Sequence, residues 1–328
     1  MSLNVVTFGE AMAMFVADEA GDLSKVSRFT LRPAGAELNV AIGLARLGFK
    51  IGWVSRVGSD SFGRFILEVL DREGVDRRAV TIDGRYPTGF QLKSTGFGKK
   101  DPIVEYYRKG SAASHLSVED FDPDYFLSAE HLHITGIAPA LTPTTWELAL
   151  HVMEQMRKNG KTISFDPNLR PVLWPSKEIM AERINLLASK ADWVLPGIEE
   201  GRILTGLQHL DEITDFYLSA GAKLVIVKVG EEGAYFQTAG LKPKRVPTEH
   251  VANVVDTVGA GDGFAVGVIS GLLESLSIED AVARGNRIAG LVIQQIGDSE
   301  GLPTREQLLG HAATIPRPPA PFASESPP

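Results

Sequence analysis

The sequence contains no cysteine. That excludes a disulfide framework, a thiolate metal site and a cysteine nucleophile, and it fits a reducing compartment. Blocks of like charge are missing as well: 33 Lys and Arg stand against 41 Asp and Glu, a formal net charge of −8. Nucleic acid and anionic membranes call for a basic patch, so neither is expected as a partner. Long apolar runs are also lacking. The most apolar stretch, Gly263 to Leu273, lies between Asp262 and Glu274 and is about half of the ~20 residues that span a bilayer. Met1-Ser2-Leu3-Asn4-Val5-Val6 offers neither a basic leader nor a long apolar segment. A cytoplasmic location is the expectation.

What is present is an ordinary globular composition. The chain has 328 residues, 44% hydrophobic and 23% charged, enough apolar material for two domains or one large α/β domain. Strand-like and helix-like periods alternate. Asn4 to Phe8 reads as a buried first strand. Leu38, Ala41, Ile42 and Ala45 then recur at helical spacing before Gly48, and Phe62, Phe65, Ile66, Val69 and Leu70 do so before Gly74. Trp146 to Met156 repeats the pattern before Gly160. Short apolar runs follow at Thr162 to Phe165, Trp193 to Leu195 and Leu224 to Val229, and helical patterns return at Phe264 to Leu276 and Ile278 to Ile296. Such alternation predicts a mostly parallel sheet covered by helices on both faces.

Between Arg85 and Lys109 the composition shifts to Thr, Gly, Lys and aromatics. This reads as a hairpin of exposed strands standing off the main sheet, a candidate lid. Pro316 to Pro328 is a proline-rich tail expected to be disordered. His131, His133 and Thr135 alternate along one predicted strand and lack a third ligand at metal spacing, so they read as core or edge-strand residues. Met12 and Met14 read as packing.

The most informative segment is Asp256-Thr257-Val258-Gly259-Ala260-Gly261-Asp262-Gly263-Phe264. Small residues lead straight into an apolar helix, so backbone N–H groups converge at a helix N-terminus, a ready anion site. A dinucleotide fingerprint fits poorly because the third glycine falls one place early, and the lysine of a Walker-type loop is missing. A carboxylate beside an anion hole suits deprotonation of a hydroxyl that attacks a phosphoryl group. A second small-residue turn, Pro33-Ala34-Gly35-Ala36-Glu37-Leu38-Asn39, likewise opens a helix.

Together these segments resemble the signatures of the ribokinase-like (PfkB-type) carbohydrate kinases, over essentially the whole chain to about residue 310. The resemblance implies a Rossmann-like three-layer α/β sandwich with a mostly parallel central sheet and a small β lid. It places a kinase domain at 1–315 with lid segments near 10–35 and 85–110. Asp262 takes the role of catalytic base, and the amides of Gly259, Ala260 and Gly261 form the anion hole. ATP is implied as phosphoryl donor, bound by Asn168, Glu200, Lys228, Gly230, Gly233, Gly261 and Asn286. Glu200 would organise Mg²⁺ through water, with no direct protein ligand to the metal, and the family also admits a monovalent cation. Gly197 stands where the family's acidic motif normally opens with asparagine.

A sugar acid needs cations over its carboxylate, which arginine supplies best. Tyr106-Tyr107-Arg108 closes the lid hairpin, and Asp166-Pro167-Asn168-Leu169-Arg170 follows a predicted strand at its carboxyl end. With Gly297-Asp298-Ser299, these look most like the branch of the family that phosphorylates 2-keto-3-deoxygluconate on its 6-hydroxyl. That resemblance assigns acceptor contacts to Gly35, Ala36, Asn39, Gln91, Tyr106, Arg108, Arg170 and Asp298. Gln91 departs from the usual tyrosine, and the Asp-Pro-Asn-Leu-Arg string also occurs in fructokinases. A neutral-sugar kinase and a catalytically silent sugar-binding protein therefore stay open as alternatives. Unpaired lid edges suggest a dimer.

Overall fold

A computed structural model describes residues 2–95 and 102–313. The hairpin tip at 96–101 and the tail at 316–328 lie outside the described residues. In chain order the first elements are β1 (Leu3–Phe8), β2 (Met12–Ala20), β3 (Phe29–Ala34), α1 (Ala36–Arg46), β4 (Ile51–Gly58), α2 (Ser61–Glu73), β5 (Asp76–Asp83), β6 (Phe90–Thr95) and β7 (Val104–Tyr107). Then come α3 (Pro123–Phe126), β8 (Ala129–Thr135), α4 (Pro143–Lys158), β9 (Thr162–Asp166), α5 (Lys177–Ala188), β10 (Trp193–Val194), α6 (Ile198–Thr205) and α7 (Leu210–Ser219). Last are β11 (Leu224–Lys228), β12 (Ala234–Thr238), β13 (Lys244–Val246), α8 (Ala260–Leu273), α9 (Ile278–Val292) and α10 (Arg305–Ala313).

Nine strands form one sheet in the order β13-β12-β11-β10-β9-β8-β1-β4-β5. From β11 to β5 every pairing is parallel, and β12 and β13 add antiparallel at one edge. The two faces show directly in β1, where side chains alternate. Val5 packs with Leu38, Ile42 and Ile66, while Val6 and Phe8 join Leu132, Leu148 and Met153. Each such buried side chain contributes about 1.5–3 kcal/mol relative to exposure. This is the expected sandwich.

Two boundaries differ from the periodicity. α8 begins at Ala260, not Phe264, because glycine and alanine carry too little apolar signal to mark a first turn; Asp262 therefore lies inside that turn. β10 is cut to Trp193–Val194, and Pro196, which has no N–H to donate, stands two residues past its end.

The lid is a separate four-stranded sheet, β3-β2-β6-β7. Exposure was expected of its hairpin, and β7 is largely exposed, but β6 is an interior strand. It buries Gln91 and Lys93, the latter at 1% exposure. His131 and His133 lie on β8, a central strand, and are fully buried. They bond to Thr162 and Ser164, His131 stacks on Trp193, and burial lowers the pKa of both, to about 3 for His133.

Candidate active site

Several helices start under a side-chain cap: Asp60 accepts from Gly63 N at 2.7 Å, Ser176 from Ile179 N at 3.2 Å and Ser277 from Asp280 N at 3.1 Å. α1 and α8 start differently. Their caps are Gly35 and Gly259, which have no side chain to occupy the first-turn amides. Both positions require glycine. Gly35 has φ +146° and Gly259 φ +83°, and an added Cβ would meet Glu10 O at 2.4 Å and Asp298 O at 2.3 Å respectively. The Ala260 N–H leans back toward Thr257 O at 3.4 Å.

These two helix starts face the carboxyl ends of β1, β9 and β11 across a cavity of about 520 Å³, where open parallel sheets bind ligands. Of the expected acceptor residues, Gly35, Ala36, Asn39 and Gln91 line it, and so do Tyr106, Arg108, Arg170 and Asp298. A second cavity of about 490 Å³ takes Gly230, Gly233, Ala260 and Asn286. The two share Lys228, Thr257 and Gly261. Asn168 and Glu200, expected on the nucleotide side, instead line the first cavity. They follow β9 and β10, whose ends open beside Asp262. Asn286 uses its amide to hold the carbonyls of Val246 and Pro247 at 3.0 and 3.3 Å, and so shapes the second cavity's wall.

Asp262, 7% exposed, lines the first cavity next to the shared Gly261. Asn39 Nδ2 donates to its Oδ2 at 2.8 Å and Asn168 Nδ2 reaches Oδ1 at 3.4 Å. Asn168 adopts φ +39°, which asparagine tolerates better than most residues. Burial pushes the Asp262 carboxyl up to about 7, Asp166 and Asp298 add to the rise, and the bond from Asn39 and the charge of Arg170 oppose it. Asn39 Oδ1 is buried and, among the described residues, has no partner, an acceptor left for a ligand hydroxyl.

Lys228 ends β11 and pairs with buried Asp166 at 2.6 Å. Burial disfavours its charge, yet Asp166, Glu200 and Asp262 together hold its pKa above the usual lysine value. Its Nζ lies 3.7 Å from where a Gly261 Cβ would stand, next to the helix start. Glu200 accepts from Leu169 N at 2.8 Å and Gly197 N at 2.7 Å, tying the loop after β9 to the start of α6. With glycine at 197, the carboxylate caps the backbone itself.

Arg108 is neither solvated nor facing the cavity unopposed. Its guanidinium pairs with fully buried Glu10, Nε at 2.6 Å and Nη2 at 2.5 Å, and Ser111 donates to the same carboxylate. Arg170 donates to Leu169 O at 2.9 Å and, among the described residues, makes no ion pair. Sequence reasoning gave no role to Glu10, Glu37, Asp166 or Lys93. Glu37 accepts from Thr135 Oγ1 at 2.5 Å, and burial raises its pKa. A charged residue at or just past the carboxyl end of a buried strand was the available signal for Glu10 and Asp166. Nothing in the local sequence marked Lys93.

Six carboxylates and three basic side chains line the first cavity. That surplus of hard oxygen donors fits Mg²⁺, which keeps several waters and is held through few carboxylates. Among the described residues no cluster of three His, Cys, Asp or Glu forms a direct cage. Asp166, Asn168 and Glu200 line that cavity and are side chains that could hold such an ion.

The chain is similar to known proteins over most of its length. The pfkB family carbohydrate kinase profile matches residues 2–305. The chain is 55% identical over 309 residues to the 2-dehydro-3-deoxygluconokinase of Bacillus subtilis (strain 168), covering 94% of this chain and 95% of that one. The crystal structure of a PfkB protein from Polaromonas sp. JS666 superposes with a TM-score of 0.86 at 52% identity, covering 94% of this chain and 99% of that one. A sugar kinase of Pyrococcus horikoshii, solved in complex with ATP, superposes with a TM-score of 0.81 at 29% identity, covering 93% and 97%. A profile matched over residues 2–305 and 55% identity over 94% of the chain show that the protein belongs to the pfkB family of carbohydrate kinases, which are phosphotransferases.

Proposed function

We propose that the protein transfers the γ-phosphoryl of ATP to the 6-hydroxyl of 2-dehydro-3-deoxy-D-gluconate. The observation that carries the reaction type is Asp262, buried in the wall of the first cavity next to Gly261, which both cavities share, at a helix start with no side-chain cap. The acceptor occupies the first cavity and ATP the second. Asp262 takes the proton of the acceptor hydroxyl as its oxygen bonds to the γ-phosphorus, and ADP departs with the β–γ bridging oxygen. Asn39 holds the carboxylate and offers Oδ1 to the acceptor. The Gly259 to Gly261 amides and Lys228 stabilise charge on the transferring group. Magnesium, when bound, supplies further neutralisation of the phosphates.

The acceptor's identity rests on two arginines at the first cavity and on the likeness to the Bacillus subtilis enzyme. One observation favours a neutral sugar such as fructose: Glu10 already partners Arg108, which weakens its pull on a second carboxylate. ADP release measured over a panel of sugars and sugar acids separates the readings. The proposal expects 2-dehydro-3-deoxygluconate to give the highest kcat/KM; a better turnover of fructose overturns the acceptor, and no ADP release with any of them overturns the kinase reading. We also assign the protein to the cytoplasm, and we expect a second copy to cover the exposed Ile103, Tyr106 and Tyr107 of the lid.

A further inference from the structure

Lys93 projects from the lid strand β6 and is buried to 1% exposure among polar partners. Its ammonium lies 2.6 Å from Asp256 Oδ2 and 2.8 Å from Asp298 Oδ1. Both carboxylates are themselves buried, at 7% and 6% exposure. Each belongs to a segment that builds the anion hole. Asp256 Oδ1 accepts from Val258 N at 3.1 Å, fixing the turn that leads into Gly259, and Oδ2 accepts from Gly297 N at 3.4 Å. The Asp298 carbonyl is the wall against which Gly259 packs, and Asp298 also lines the acceptor cavity.

Two buried carboxylates this close repel each other unless a cation stands between them. Lys93 supplies that cation, and nearby Arg32 is committed to Glu300 at 2.8 Å. Burial disfavours the charge on Lys93, but Asp298 and Asp256 outweigh it and keep the amine protonated. The contact is also the lid's buried tie to the loops around α8.

We propose that Lys93 is a positioning residue: a built-in cation, delivered by the lid, that holds the Asp256–Gly259 turn and Asp298 in register for phosphoryl transfer. The inference rests on reading the Gly259 to Gly261 turn as the anion hole. Without the ammonium, the carboxylates separate and the turn shifts, although Lys93 touches neither substrate.

The test is chemical rescue in the full-length enzyme, with kcat read at saturating acceptor and ATP, and KM for ATP from an ATP titration at saturating acceptor. Lys93→Ala should lower kcat about 10- to 100-fold, as expected for a sub-ångström to 1 Å misplacement of catalytic groups, with KM for ATP changed far less. Ethylammonium or propylammonium should restore at least a third of the loss by occupying the vacated space. Lys93→Met fills that space and should show the same defect without rescue. Adding Asp256→Asn to Lys93→Met removes one of the repelling charges and should recover activity over Lys93→Met alone. If Lys93→Ala does not fold, Lys93→Met and its double variant carry the test by themselves.

Wild-type kcat in Lys93→Met overturns the proposal. So does a folded Lys93→Ala that no alkylammonium improves, or a double variant no better than the single one. Asp262→Asn run alongside keeps the two readings apart. If it retains wild-type turnover, the phosphoryl-transfer reading with Asp262 as base has failed; if it is inactive while the Lys93 variants are normal, only the role of Lys93 has.

Discussion

Asn39 Nδ2 and Asp262 Oδ2 meet at 2.8 Å although 223 positions separate them in the chain. The bond joins the first turns of α1 and α8, both of which start on glycine without a side-chain cap. One amide thereby orients the proposed base and, through its buried, unpartnered Oδ1, keeps an acceptor for the substrate. This side chain thus links the acceptor cavity to the anion site.

Replacing Asp262 by Asn keeps the shape and removes the base. Steady-state kinetics should show kcat lower by about 10²–10⁴-fold, with acceptor binding largely retained in calorimetry. Near-normal turnover would take Asp262 out of the mechanism.

The same substitution should stabilise the fold at high pH. The Asp262 carboxyl titrates at about 7 in the folded protein against 3.8 unperturbed. Between those values the folded chain keeps a proton that the unfolded chain has released, so stability falls as pH rises through that window and stays low above it. Urea unfolding at pH 8 should find Asp262→Asn about 1–3 kcal/mol more stable than wild type, with the gap closing below pH 4. An equal or lower stability at pH 8 would mean that Asp262 is not held protonated by burial.

The rate should follow the same titration. kcat/KM should climb with pH to a plateau, with a midpoint near 7, because only the ionised carboxylate accepts the proton. Asn39→Ala deletes a bond that favours that ionised form, so its midpoint should move upward by about half to one unit. A midpoint that moves down, or stays fixed, argues against the bond's role.

Arg108 separates the two acceptors. Truncation to Ala deletes one or two charge-assisted bonds to a substrate carboxylate, so kcat/KM for the keto acid should fall roughly 10- to 150-fold while that for fructose changes little. Glu10→Gln should have the opposite sign for the keto acid, since it frees the guanidinium from its buried partner. Loss of activity on both sugars in Arg108→Ala would point to a lid held together by this pair.

Gly259→Ala tests the helix start. The residue sits at φ +83°, and its new Cβ would come within 2.3 Å of the Asp298 carbonyl. A loss of roughly 2–4 kcal/mol of stability, or a kcat drop of 10²-fold or more in whatever protein folds, is expected. Thermal melts and kinetics on the same preparation would register a tolerated alanine as the contrary result.

Local chemistry was enough to locate β1, β9, β11, α1, α2, α4, α8, α9 and both glycine turns. Apolar period reports which face of an element is buried, and a glycine before an apolar helix reports its own backbone, so β1, α1, α2 and the Gly259–Asp262 turn were legible from neighbours alone. Charge pairing across the fold was not. Lys93 reads as one more polar residue on an exposed hairpin, and only the placement of β6 inside the lid sheet buries it against Asp256 and Asp298. Arg108 likewise reads as a free cation until the close approach of β1 supplies Glu10. Burial period is set by residues three or four positions away, whereas the partner of a buried charge is set by whichever distant strand end folding brings within about 3 Å. That choice belongs to the tertiary structure.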